Sequence, residues 1–199
     1  MPAPPDALRR FLRLDGWEVS WKIRIVMNTP RFLSILLLAL TSSLFAADVD
    51  KPYHGSAEFE RMKSLVGTWK GTVDMGQGPM PMTVEYRLVS GGSVIEEKLF
   101  AGTPKEMVTM YHDRNGKLAL THYCMLANQP GMSLKSSDPK KLSFDFDPAC
   151  GIDAKSAMHM HSLVITFMDA DTITHDWKLY EHGKAKESHP FTFKREKSA

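Results

Sequence analysis

The sequence predicts an all-β protein: a single antiparallel up-and-down β-barrel of about ten strands with one short N-terminal helix. Three observations predict this fold. From about residue 68 onward, apolar and polar residues alternate with a period of two, as they do in half-buried strands. These segments are short and separated by turn-forming residues, among which Asn115-Gly116 is a strong tight-hairpin signal. No second helical pattern follows Leu65, which argues against a parallel sheet built from βαβ units.

The first 46 residues are expected to lie outside the barrel. Arg31 precedes the apolar run 32–40, which leads into the small residues Thr41-Ser42-Ser43 and Ala46-Ala47. A basic start, a short apolar run and a small-residue exit are typical of a secretory signal peptide, and the run is well short of the roughly 20 residues that span a bilayer. We therefore expect export to the periplasm or the medium, with no stable membrane span after cleavage. The expected organisation is an upstream extension from a misassigned start at 1–26, a signal peptide at 27–46 and the barrel domain at 47–199.

The charge balance excludes one class of partner. The 199-residue chain carries 25 Lys and Arg against 23 Asp and Glu, a formal net charge of +2. Six of the basic and three of the acidic residues lie in the first 46, which leaves 19 against 20 in the expected mature chain. A domain that binds nucleic acid through bulk charge is normally clearly basic, so no nucleic-acid partner is expected.

The elements follow in order from the pattern of the expected mature chain. Ser56 can cap a helix that runs to Leu65 and places Phe59, Met62 and Leu65 on one face. The strands predicted after it cover 68–75, 80–89, 93–100, 105–112, 117–124, 131–136, 141–146, 158–168, 172–181 and 185–195.

Alternation also predicts which side chains face the interior. On the second predicted strand the apolar face consists of Met80, Met82, Val84, Tyr86 and Leu88. On the ninth it consists of Ile173, His175, Trp177 and Leu179. In 158–168 the inward face is expected to be the one whose far end is more apolar, namely His159, His161, Leu163, Ile165 and Phe167.

The helix is followed by Gly67-Thr68-Trp69, which opens the first strand. This segment resembles the Gly-x-Trp opening of the calycin superfamily, which comprises lipocalins, fatty-acid-binding proteins and nitrobindin-like haem barrels. The resemblance implies a ligand-binding barrel whose floor is closed by Trp69, with a basic residue of the last strand packed over it. Arg195 is the candidate, in a cation–π contact worth about 0.5–2 kcal/mol. The haem-ligating histidine and the carboxylate-gripping basic pair of the family have no identifiable counterpart here.

Histidines supply the candidate binding residues. His122, His161 and His175 fall on predicted inward faces among apolar neighbours, and His159 lies about 6–7 Å from His161 on the same face. Neutral imidazole binds metals and haem iron, and three from different strands could hold zinc. The alternative is that each is a hydrogen-bonded core or rim histidine. We expect His122, His161 and His175 to converge on one cavity and to bind its ligand together with Tyr86, Trp177 and Met82.

Two further pairs leave alternatives open. Glu96 and Glu97 point to opposite faces, so one of them faces inward, where a carboxylate must be paired or protonated, unless the strand end opens to solvent. Cys124 and Cys150 are the only cysteines, and export permits a disulfide between them. The alternatives are two free buried thiols, or a reactive Cys124 with His122 as its base.

These observations favour a binding module, an exported β-barrel that holds a small apolar or amphipathic ligand in its interior. Haem and zinc are both candidate cofactors. The alternative is an enzyme that acts on a small molecule through the interior histidines, with or without a metal. The sequence contains no Gly-rich phosphate loop, nucleophile elbow or paired catalytic carboxylates, which favours binding.

Overall fold

The computed structural model describes residues 51–74, 76, 78–186 and 190–197. The extension and signal peptide expected at 1–46 lie outside these residues. Ten antiparallel strands form a closed barrel, and one short helix lies on its N-terminal side, which confirms the predicted fold class. Within the described part of the chain, no helix has the length and apolar character needed to cross a bilayer.

The helix α1 covers Ala57–Lys63. The strands are β1 Gly67–Asp74, β2 Pro79–Val89, β3 Val94–Leu99, β4 Met107–Arg114, β5 Lys117–Tyr123, β6 Gly131–Asp138, β7 Lys141–Phe146, β8 His159–Phe167, β9 Thr172–Glu181, β10 Lys184–Ala185 and β11 Phe191–Arg195. Each strand from β1 to β9 pairs with the next, and β9 also pairs with β11, which returns to β1 and closes the ring.

The last predicted strand, 185–195, is two strands in the structure. Lys184–Ala185 folds back on the end of β9 and does not take part in the ring. The turn between β9 and β10 has positive φ at both His182 and Gly183, which is the backbone geometry of a tight two-residue hairpin. The strand that closes the barrel therefore begins only at Phe191.

One end of the barrel is closed by α1. The Ser56 hydroxyl caps the helix by accepting from the Phe59 N–H at 3.2 Å, and the Asp113 carboxylate at the end of β4 accepts from the Ser56 N–H and hydroxyl. Phe59 and Met62 are fully buried beneath the helix. Arg61 donates to the β6–β7 turn at Ser137. The helix is thus tied to two hairpins, and this end forms the floor.

Trp69 seals the floor together with Arg195. The Trp69 indole N–H donates to the Leu65 carbonyl at 2.8 Å, and the Arg195 guanidinium lies 4.2 Å from the indole ring centre. Arg195 also donates to the carbonyls of Ser64 and Val66. The cation–π contact expected from the sequence is therefore present. Gly67 has a φ of +127°, and a Cβ there would meet the guanidinium at 3.3 Å, so this turn from helix to strand favours glycine.

The interior follows the predicted alternation on β2 through Tyr86 and on β9 through Trp177, but Leu88 near the end of β2 is 44% exposed and Leu179 is only partly buried. The larger departure is on β8. Leu163 and Ile165 are buried as expected, whereas His161 is only partly buried. A β-bulge between Met160 and Ser162 is the reason, because it pairs Met160 with Leu179 and leaves His161 as the extra residue. The predicted continuous inward face of His159, His161, Leu163, Ile165 and Phe167 is therefore wrong at His161, while His159 is buried and Phe167 is only partly buried.

Candidate functional site

Four neighbouring strands place one polar side chain each at matching positions of the barrel wall. Tyr86 on β2 is the cross-strand partner of Glu97 on β3, which is the partner of Thr109 on β4, which is the partner of His122 on β5. Cross-strand partners project to the same face of a sheet. All four are at most 1% exposed, so they form a continuous buried row, which we call the polar row.

Glu97 is the centre of the polar row. Its Oε1 accepts from the Tyr86 hydroxyl at 2.5 Å and its Oε2 from the Tyr111 hydroxyl at 3.1 Å, and the Thr109 hydroxyl also bonds to the carboxylate. Burial raises the pKa of Glu97 to about 7, although the three hydroxyl donors oppose this rise. Burial and the neighbouring carboxylate raise the pKa values of both tyrosines well above their usual range, so both hydroxyls remain protonated donors.

Each end of the polar row meets an imidazole. Nε2 of His175, on β9, lies 2.8 Å from the Tyr86 hydroxyl, and Nδ1 of His122 lies 3.0 Å from the Thr109 hydroxyl. Burial lowers the pKa of His175 to about 3 and that of His122 to about 4, so both rings are neutral at pH 7.

The direction of the hydrogen bonds fixes the tautomers. When Glu97 is ionised, the Tyr86 and Thr109 hydroxyls donate to it, so their oxygens must accept from the imidazole N–H groups. His175 then carries its proton on Nε2 and His122 on Nδ1. Nδ1 of His175 and Nε2 of His122 are left as lone-pair acceptors.

Two buried polar atoms of β9 have no hydrogen-bond partner. They are the indole N–H of Trp177 and Nδ1 of His175, which lies 3.7 Å from Glu97 Oε1, beyond hydrogen-bonding distance. The two residues alternate on one face of β9, about 6–7 Å apart. The Trp177 ring is 4.6 Å from the His122 ring, so β9 contacts the polar row at both ends. A buried polar group without a partner costs about 1–3 kcal/mol, so these two atoms are the open positions of this part of the interior.

The structure brings four of the six expected ligand-binding residues together: Tyr86, His122, His175 and Trp177. Met82 is buried on the same face of β2 as Tyr86 but lies nearer the start of that strand.

His161 does not join them, because the β8 bulge places it elsewhere. Its ring stacks on Tyr180 at 3.8 Å and on Phe146 at 5.1 Å, and its Nδ1 lies 2.9 Å from His159 Nε2. The three expected histidines therefore do not share one contact network.

Thr109 and Tyr111 belong to the site but were not identified from the sequence. A signal for Thr109 was present: a two-residue turn at Asn115-Gly116 pairs residues equally distant from it, which places Thr109 opposite His122. Tyr111 reaches Glu97 from the same strand, two residues further along, and no pattern in the sequence indicates that contact.

Both cysteines are free thiols in this structure, Cys124 buried and Cys150 partly exposed, and the disulfide stays a prediction. Cys124 ends β5 in a turn closed by its N–H bond to the Asn128 carbonyl. Cys150 lies in a separate turn against Gly131 and lines a groove of about 260 Å³ with His112 and Arg114. Burial raises the pKa of the Cys124 thiol, which disfavours a thiolate at this position.

The described residues contain no group of three His, Cys, Asp or Glu side chains placed to hold a metal ion. Zinc bound by three histidines therefore has no matching site in this part of the chain.

Comparison with known proteins adds little to this description. No family model matches the sequence, and no curated protein matches it. A similar solved structure is that of Rv2717c from M. tuberculosis, with a TM-score of 0.49 and 10% sequence identity, covering 72% of this chain and 100% of that one. The ten-strand barrel is consistent with a calycin-like fold, and the family itself stays a resemblance carried by Gly67-Thr68-Trp69.

Proposed function

We propose that this protein is an exported β-barrel that binds a small apolar or amphipathic molecule in its interior. The observation that carries the proposal is the pair of buried, unpartnered polar atoms on Trp177 and His175. Every other member of the network has a hydrogen-bond partner, so the two atoms stand out as positions where a ligand would complete the network.

The surroundings of these atoms suit a ligand with an apolar body. Leu120, Leu163 and Ile173 are fully buried on the neighbouring parts of β5, β8 and β9. Apolar walls with a few placed polar groups are typical of small-molecule sites.

Haem and zinc fit this site less well than an organic ligand. Nε2 of His175 is already bonded to Tyr86, and its free Nδ1 faces Glu97. Of the two site histidines, His122 has its Nε2 outside the hydrogen bonds of the polar row, where it could ligate haem iron. A zinc ion at this position would lack further ligands among the described residues.

The second candidate function is an enzyme that uses these residues for acid–base chemistry. The observation in its favour is Glu97, whose pKa of about 7 suits a general base. However, both Glu97 oxygens already accept from tyrosine hydroxyls, so the carboxylate is built into the wall and is not presented to a substrate. This arrangement favours binding over catalysis.

The test uses the neutral fluorescent probe N-phenyl-1-naphthylamine with the purified mature protein. Saturable one-to-one fluorescence enhancement is expected. Decan-1-ol, whose hydroxyl can accept from the Trp177 N–H, should displace the probe, and Trp177→Phe, which removes the indole N–H and keeps an aromatic ring, should weaken the binding of decan-1-ol about five-fold or more. His54→Gln, at an exposed histidine, is the matched control and should bind as the native protein does. Absence of saturable binding to the native protein would overturn the proposal. A saturable shift of the Soret band of added haemin, or stoichiometric zinc, would replace it with a cofactor function.

A further inference from the structure

We infer that the barrel interior selects an uncharged ligand that carries both a hydrogen-bond donor and an acceptor, such as an alcohol or an amide, and that it rejects carboxylates. This inference rests on the proposed function and specifies the chemical class of its ligand.

The first argument is the charge of the interior. Among the described residues, no Lys or Arg side chain is buried, whereas Glu97 is completely buried. His122 and His175 are neutral, because burial holds their pKa values at about 4 and about 3. An anionic ligand would therefore enter a region without a counterion and next to a carboxylate, where desolvation and repulsion both oppose it.

The second argument is the chemistry of the two unpartnered atoms. The Trp177 indole N–H is only a donor and needs an acceptor on the ligand. Nδ1 of His175 is an acceptor, because the proton of that ring lies on Nε2 when Glu97 is ionised, and it needs a donor on the ligand. A hydroxyl or an amide supplies both groups, whereas a carboxylate supplies acceptors only and leaves His175 unsatisfied.

A matched series of ligands that share one ten-carbon chain separates the effect of charge from the effect of hydrogen bonding. Decan-1-ol and decanamide carry a donor and an acceptor, methyl decanoate carries acceptors only, and decanoate adds a negative charge to the same tail. Each ligand displaces N-phenyl-1-naphthylamine from the native protein at pH 8, where Glu97 is mostly ionised. We expect the alcohol and the amide to bind about ten-fold or more tightly than decanoate, with the methyl ester between them.

The variant Glu97→Gln removes the buried charge and nearly preserves the shape of the side chain. The ratio of the dissociation constants of decanoate and decan-1-ol should fall several-fold in this variant. The ratio for methyl decanoate and decan-1-ol should change little. Glu96→Gln, on the outer face of the same strand where Glu96 pairs with Arg87, is the control and should not change either ratio. Circular dichroism of each variant verifies the fold.

The outcomes distinguish the two proposals. If the probe binds but decanoate binds as tightly as decan-1-ol or more tightly, this inference is overturned and the proposal of interior binding stands. An unchanged ratio for decanoate and decan-1-ol in Glu97→Gln would overturn the role of the buried charge. If neither the probe nor any ligand of the series binds, as verified by direct calorimetric titration, the proposed function and this inference both fall.

Discussion

Glu97 connects three strands through its hydrogen bonds, and the two histidines of the site join this network through Tyr86 and Thr109. Its carboxylate is completely buried, yet it accepts from hydroxyls of Tyr86, Thr109 and Tyr111, so the usual cost of a buried charge is partly offset. The balance leaves its pKa at about 7. The protonation of one residue therefore decides the direction of the hydrogen bonds in the whole polar row.

The raised pKa of Glu97 predicts a pH-dependent stability. The folded state binds the Glu97 proton more tightly than the unfolded chain does, so the free energy of unfolding falls as pH rises from about 4.5 to about 7. Glu97→Gln lacks this loss. Its free energy of unfolding relative to the native protein should therefore rise by about 3 kcal/mol between pH 4.5 and pH 8, measured by urea unfolding.

The lowered pKa values of His122 and His175 produce the opposite trend below pH 6.5. Both proteins share this contribution, so it cancels in the comparison. Glu96→Gln, whose side chain is bonded to Arg87 outside the barrel, should not reproduce the rise. A constant difference between Glu97→Gln and native protein across this pH range would contradict the prediction.

The thiols give a second prediction at the residue scale. Cys124 is buried and its pKa is raised by burial, whereas Cys150 is partly exposed. In the native protein under non-reducing conditions, a thiol reagent should label Cys150 first and Cys124 more slowly, because the thiolate is the reacting form. Mass spectrometry of the labelled digest measures the order. A linked Cys124–Cys150 peptide pair would contradict the two free thiols.

At the scale of elements, the floor depends on the contact between the end of α1, β1 and β11. Arg195 is the residue that all three share, since it covers Trp69 and donates to the carbonyls of Ser64 and Val66. The carbonyls at the end of a helix lack intrahelical partners, and a guanidinium satisfies them well.

Arg195→Met should lower the free energy of unfolding by about 2–3 kcal/mol, because it removes the cation–π contact and two charge-assisted hydrogen bonds while keeping the aliphatic part of the side chain. Chemical denaturation measures the loss. Lys194→Met, at the exposed neighbouring position on β11, is the matched control and should change stability little. Equal stability of the two variants would show that Arg195 does not hold the floor.

The β8 bulge shows how one extra residue changes an element. It separates His161 from the face that carries Leu163 and Ile165, and places its ring between Phe146 and Tyr180. The ligand-binding role predicted for His161 therefore has no support from its surroundings, whereas His122 and His175 remain candidates.

For the whole molecule, the sequence predicts that export precedes function. The basic Arg31, the apolar run 32–40 and the small residues that follow predict cleavage near Ala47. Mass spectrometry of the exported protein should find a mature N-terminus at Ala47 or Asp48. A mature species that retains 32–40 would contradict the signal peptide.

The sequence by itself determined the local features of this protein. Ser56 and the spacing of Phe59, Met62 and Leu65 encode the helix, alternation encodes the strands, and Asn115-Gly116 sets the register of the β4–β5 hairpin. These depend on neighbouring residues, whose geometry is fixed by backbone sterics and hydrogen bonding.

Only the tertiary structure decided the composition of the site. Tyr86 and His175 are 89 positions apart, and they meet because β11 joins β9 to β1 and closes the ring. Tyr111 contacts Glu97 because its side chain is long enough to reach the carboxylate, and His161 is displaced because a bulge changes the strand register. A period-two pattern encodes neither feature. The sequence thus indicated that Tyr86, His122 and His175 face inward, and closure of the barrel determined which side chains they touch.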